Sequence, residues 1–142
     1  MKTLRFFLLL SLSVIIFSCN KDDSNGKDAA AVSDIVKSGT WRITYFMYSG
    51  EDKTTDYAGY TLTFDPGGIL LSAKDGNDLT GVWSTIDRAD GDNCDMVLSF
   101  ITADIISRVS NRWHVIWIEP ALLRMADDDG SGDATFLYIE KN

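Results

Sequence analysis

The chain has 142 residues, room for one domain, and 45% of them are hydrophobic and 11% aromatic, as suits a folded core. It carries 21 acidic residues against 13 basic ones, and two of the basic ones, Lys2 and Arg5, fall at the extreme N-terminus. Affinity for a phosphate backbone comes from Lys and Arg displacing counterions, so an acidic chain with no basic stripe is not expected to bind nucleic acid.

Lys2 and Arg5 make a short positive region, and residues 6–17 (FFLLLSLSVIIF) follow as an apolar run, the pattern of a secretory signal peptide. The run falls short of the roughly 20 apolar residues that a transmembrane helix needs. It leads into Ile16-Phe17-Ser18-Cys19, which resembles the lipobox of bacterial lipoproteins. That resemblance implies that residues 1–18 are removed and that Cys19 is acylated, so that outer-membrane lipid is the expected partner of this cysteine. The alternative is an ordinary secreted protein with a cysteine at this place. Each buried methylene of an acyl chain contributes about 0.8 kcal/mol, so two or three chains hold a protein stably at a bilayer. Cys19-Asn20-Lys21-Asp22-Asp23 is similar to the C-x-K-(D/E)-(D/E) signal that directs some lipoproteins to the outer face of the outer membrane; the other reading is a generic polar spacer. Residues 19–33 are small, polar and charged without apolar periodicity, which predicts a flexible tether.

Residues 34–142 read as one all-β domain, because short alternating runs are separated by Gly, Asp and Asn. Only residues 34–37 and 103–108 have a helical character, with Thr102 the expected cap of the second. In residues 40–48 the alternation sets Trp41, Ile43, Tyr45 and Met47 on an inward face and Arg42, Thr44, Phe46 and Tyr48 on the other. Residues 59–64 form the next strand and Asp65-Pro66-Gly67-Gly68 the turn into residues 69–73. Strands are expected at 80–86, 95–101 and 112–119, the last with Trp113, Val115 and Trp117 on one face and His114, Ile116 and Ile118 on the other. Residues 121–126 and 134–140 complete a count of about eight. Eight strands are enough to close a barrel that is filled by side chains or holds one small ligand.

Gly39-Thr40-Trp41 at the head of the first strand, with Gly81-Val82-Trp83, the Trp113 strand and a terminal strand after it, resembles the layout of small lipocalin-like (calycin-type) domains of bacterial surface lipoproteins. The resemblance covers residues 35–142 and implies an up-and-down antiparallel β-barrel, with the G-x-W tryptophan packed across its closed end under a basic side chain. Arg124 and Lys141 are both candidates for that cation. It also implies a binding module for a small apolar or amphipathic molecule. Trp41, Tyr45, Phe64, Trp83, Trp113 and Trp117 are the rings that would line its pocket, or else pack its core. The alternative is a filled barrel that contacts another envelope protein or a glycan.

Catalytic chemistry is not expected. His114 is the one histidine, and Cys94 is the one thiol left beside Cys19. Asp95 next to Cys94 favours the protonated, inert form. Residues 127–133 place Asp127, Asp129, Ser131 and Gly132 at part of a calcium-loop spacing, but Tyr138 stands where a bidentate glutamate belongs. A solvated acidic turn is expected there, and neither a metal nor a cofactor.

Overall fold

The computed structural model describes residues 27–89, 93–127 and 135–142. The expected leader, Cys19, the signal expected after it and the acidic turn expected beyond Asp127 lie outside the described residues. Among the described residues no helix is long and apolar enough to cross a membrane.

Order begins earlier than the composition suggested. Helix α1 (Ala29–Val36) starts within the stretch expected to be a flexible tether, where the Asp28 carboxylate accepts a hydrogen bond from the Ala31 N–H at 2.7 Å. An aspartate N-cap followed by three alanines suits helix initiation and propagation, and the helix is held by burying Val32 and Val36. Thr85 Oγ1 donates to the Ala29 carbonyl at 2.9 Å, and the Ala29 N–H donates to Asp87 at 2.7 Å.

Among the described residues nine antiparallel strands follow: β1 (Trp41–Tyr48), β2 (Glu51–Asp52), β3 (Thr61–Phe64), β4 (Ile69–Lys74), β5 (Asn77–Asp87), β6 (Cys94–Phe100), β7 (Asn111–Glu119), β8 (Leu122–Asp127) and β9 (Phe136–Lys141). Each of β3 to β8 pairs with the next, β3 also pairs with β1, and β9 returns to β1 from Trp41↔Lys141 to Met47↔Phe136. The result is the expected closed, eight-stranded, up-and-down barrel, with the two-residue β2 paired to the end of β1. Closure satisfies the backbone groups that an open sheet leaves at its edges.

Turn chemistry sets the hairpins. Asp65 accepts from the Gly67 N–H at 2.8 Å, the Gly68 N–H donates to the Asp65 carbonyl at 3.0 Å, and Gly68 takes a φ of +82° that favours glycine. Gly81 has a different role. A Cβ there would sit 2.4 Å from the Ser99 carbonyl oxygen and 2.7 Å from the Phe100 ring, so its bareness lets β5 and β6 lie together.

Two β-bulges overturn the simple alternation. Ile43 pairs with Ile139 and Tyr45 with Tyr138, so Thr44 is an extra residue; likewise Val115 pairs with Met125 and Trp117 with Arg124, leaving Ile116 extra. One extra residue exchanges the inward and outward sets beyond it. Phe46 therefore turns into the core, while Tyr45 and Met47, expected inside, do not. Ile118 is buried, and Trp117, expected to share a face with Trp113, is 42% exposed.

Short helices shut both ends. At one end the Trp41 indole N–H donates to the Val36 carbonyl of α1 at 2.9 Å. At the other, a 3-10 helix (Ile105–Val109) lies within the stretch expected to be helical, capped by Asp104 rather than Thr102, and the Trp113 N–H donates to the Val109 carbonyl at 2.9 Å. A further 3-10 helix (Thr54–Tyr57), which the sequence did not suggest, brings Tyr57 edge-on to Phe46, with its hydroxyl donating to the Ile105 carbonyl.

Candidate functional site

The six rings proposed for a pocket separate into two groups. Trp41, Phe64, Trp83 and Trp113 are buried in one continuous core, with Phe64 edge-on to Trp83 at 5.4 Å. The Trp83 N–H is engaged by the Asp65 carbonyl at 2.9 Å. Lys141 is the cation that covers Trp41, with Nζ 5.2 Å from the ring centroid, while Arg124 lies over Tyr138 instead. These four rings act as packing and offer little surface to a ligand. Among the described residues Ser72 Oγ is fully buried without a hydrogen-bond partner.

Tyr45 and Trp117 belong to the outer wall. Register carries a row across four strands, Trp117 to Arg124 to Tyr138 to Tyr45. The Tyr45 and Tyr138 centroids are 4.9 Å apart, and Trp117 donates its N–H to Glu119 at 3.0 Å. On the wall of β4 and β5, Ile69, Leu71 and Val82 are also exposed.

The most chemically organised feature is a cleft of about 490 Å³ against the outside of β6 and β7, lined by Asp87, Arg88, Ala89, Asp95, Asn111, Arg112, His114 and Asp127. The alternation that buries Trp113 and Val115 turns Arg112 and His114 outward, and register sets His114 opposite Asp95. Arg88 arrives from the β5–β6 connection. Its Nη1 donates to Asp95 Oδ1 at 3.1 Å, and Arg112 Nε donates to Asp95 Oδ2 at 2.6 Å. The Asp95 side chain is only 6% exposed. Burial by itself would raise its pKa, but the hydrogen bonds and charges of Arg112 and Arg88 outweigh this and hold it below the usual aspartate value.

His114 Nδ1 lies 3.3 Å from Arg88 Nη1 and 3.5 Å from Asp95 Oδ1. A ring accepting from Arg88 at Nδ1 carries its proton on Nε2. Asn111 donates to Asp127 through Nδ2 and accepts the Arg112 backbone N–H at 2.7 Å through Oδ1. The Arg112 side chain is 61% exposed and is held through Nε, so its two terminal nitrogens stay available. Among the described residues no three His, Cys, Asp or Glu side chains gather so as to hold a metal ion.

Cys94 lies beside this network but is buried and unpaired. Burial first, then the charges of Asp87, Asp95 and Asp28, push its thiol up to about 12, so it is a poor nucleophile at neutral pH. The sequence singled out His114 and Cys94 as unreactive but did not assemble the cleft. Arg112 and His114 at strand spacing were its one visible trace; the opposing Asp95 and the incoming Arg88 depend on register and on a turn.

No known protein-family model matches the sequence, and no curated protein matches it. Among solved structures the chain is similar to a DUF4847 family protein from Bacteroides vulgatus ATCC 8482, with a TM-score of 0.55 and 19% identity over 78% of this chain and 97% of that one. At that identity the likeness concerns the fold alone, an antiparallel β-barrel.

Proposed function

We propose that this is a lipid-anchored protein of the bacterial outer membrane, attached through Cys19 and displayed at the cell surface. Its barrel is a non-enzymatic recognition module that works through its outer wall. The observation that carries this reading is the closure of both barrel ends by indole-to-helix hydrogen bonds, over an interior occupied by Trp41, Phe64, Trp83 and Trp113. A calyx needs an open mouth and an unfilled interior. The polar and aromatic features left for recognition are outside: the cleft around Asp95 and the row from Trp117 to Tyr45. The leader and the cysteine after it support the anchor, and the run 19–28 supports a spacer between lipid and barrel.

Native mass spectrometry of the protein purified from its own cells tests both parts. The expected spectrum shows a diacyl or triacyl increment on a chain beginning at Cys19, with no stoichiometric apolar molecule that vanishes on denaturation. A retained apolar molecule, kept when the outer wall is mutated at Trp117 and Arg112, would return the function to the barrel interior. An unacylated chain would remove the anchor.

A further inference from the structure

We infer that the cleft on the outside of β6 and β7 binds a free zwitterionic α-amino carboxylate, its carboxylate on Arg112 and its ammonium on the acidic rim that includes Asp127. The inference rests on the outer-wall reading and names the ligand of one part of that wall.

The argument begins with unused hydrogen-bonding capacity. Asp95 is satisfied on both oxygens, Oδ1 by Arg88 and Oδ2 by Arg112, and serves as the anchor that fixes the two guanidinium groups. Because Arg112 is tethered through Nε, the terminal nitrogens of its planar fork remain to meet a carboxylate. His114 adds an Nε2–H when its Nδ1 accepts from Arg88. On the rim, the Asp127 contact with Asn111 uses Oδ2, and the Asp87 contact with the Ala29 N–H uses Oδ1, so each carboxylate keeps an oxygen for a cationic donor. Asn111 bonds to Asp127 through its amide and to the Arg112 backbone through its oxygen, and Arg112 and Asp127 both line the cleft.

Charge decides between ligand classes. The lining holds two arginines and three aspartates, in a chain of formal net charge −8. A simple anion approaches an acidic molecule against its field and meets the rim carboxylates; a simple cation meets the arginines. A zwitterion carries no net charge to be repelled and places one charge on each partner. No Phe, Tyr or Trp side chain is among the described residues that line the cleft, so the broad stacking surface that a sugar ring would use is reduced to the edge of the His114 ring. Its volume of about 490 Å³ falls within the range of small-molecule sites.

The molecule supplies its own reporter, since His114 is the one histidine in the chain and lines the cleft. The test follows the His114 ring protons by NMR while the purified full chain is titrated with alanine, propionate and ethylammonium, which share a carbon frame and differ in the charged groups they carry. The expected result is a saturable shift with alanine, at a concentration at least tenfold lower than either half-molecule needs. Arg112→Lys, which keeps the charge but loses the fork, and Asp127→Asn should each weaken alanine at least tenfold with the fold intact by circular dichroism. No saturable shift with alanine, equal binding of propionate, or unchanged affinity in both variants overturns the inference. The outer-wall reading itself stands or falls separately, on the native mass of the barrel interior.

Discussion

The two ends of the barrel are closed by the same device built from unrelated sequence. In each, a short helix ends at a buried valine, and a tryptophan a few residues later donates its indole N–H to that valine's carbonyl: Trp41 to Val36 and Trp113 to Val109, both at 2.9 Å. The helix C-terminus has carbonyls without intrahelical partners, and an indole is a donor attached to a large apolar plate, so one side chain both caps the helix and plugs the barrel. The ends differ in what covers the ring. Trp41 lies under the Lys141 ammonium, whereas Trp113 packs against Phe46 at 6.3 Å, near Tyr57. Only the first end carries the G-x-W signature, so the signature marks one instance of the device.

The largest test of this equivalence is truncation. Trp41→Ala and Trp113→Ala should each lower unfolding free energy by about 3–5 kcal/mol in urea titrations, as expected for a fully buried ring. A small effect at one end would show that its helix, not its ring, makes the closure. A sharper test keeps the ring and removes the donor. Trp41→Phe and Trp113→Phe should each cost about 1–3 kcal/mol, because a valine carbonyl is left buried without its partner.

The helix caps come next. Asp28→Ala removes one side-chain cap of α1 and should cost about 1 kcal/mol. Asp104→Ala should cost more, since Asp104 caps its helix and also accepts the Tyr60 hydroxyl at 2.6 Å. That end is also pH-sensitive. The Tyr60 hydroxyl and then the Ile106 N–H hold the Asp104 carboxyl below its usual value. Its contribution is therefore full above about pH 4 and fades as pH falls through the lowered value. Burial, then the bond to Asp104, pushes Tyr60 up to about 12. That contribution is full below about pH 10 and is lost as pH rises through the folded value. Denaturation curves of wild type and Asp104→Asn across this range should converge at acid pH and separate on the plateau. The smallest effect belongs to the other end alone: Lys141→Met should cost about 0.5–1 kcal/mol through the lost cation–π contact, and a salt titration should weaken the wild type but not the variant.

Strand number, turn positions and the antiparallel order were legible because hydrophobic alternation and Asp-Pro-Gly-Gly chemistry act within a few residues. The failures also have local causes. Thr44 and Ile116 carry no mark of being bulged, yet each reverses the facing of every residue after it, which moved Tyr45 and Trp117 from the expected core to the outer wall. Helix α1 was hidden in small and polar residues because its stability comes from Val32 and Val36 docking on the barrel.

By itself, the sequence determined the acidic balance of the chain and a barrel of about eight strands, since each depends on composition or on a period of two, and it raised the expectation of a leader ending at a cysteine. The tertiary structure alone decided that Lys141 and not Arg124 covers Trp41, that Trp41 and Trp113 are end plugs, and that Arg88, Asp95, Arg112 and His114 meet in one cleft. The physical reason is that inward or outward facing depends on register. Register accumulates every bulge and turn along the chain, so contacts between distant strands follow from the whole closed sheet and from no local segment of it.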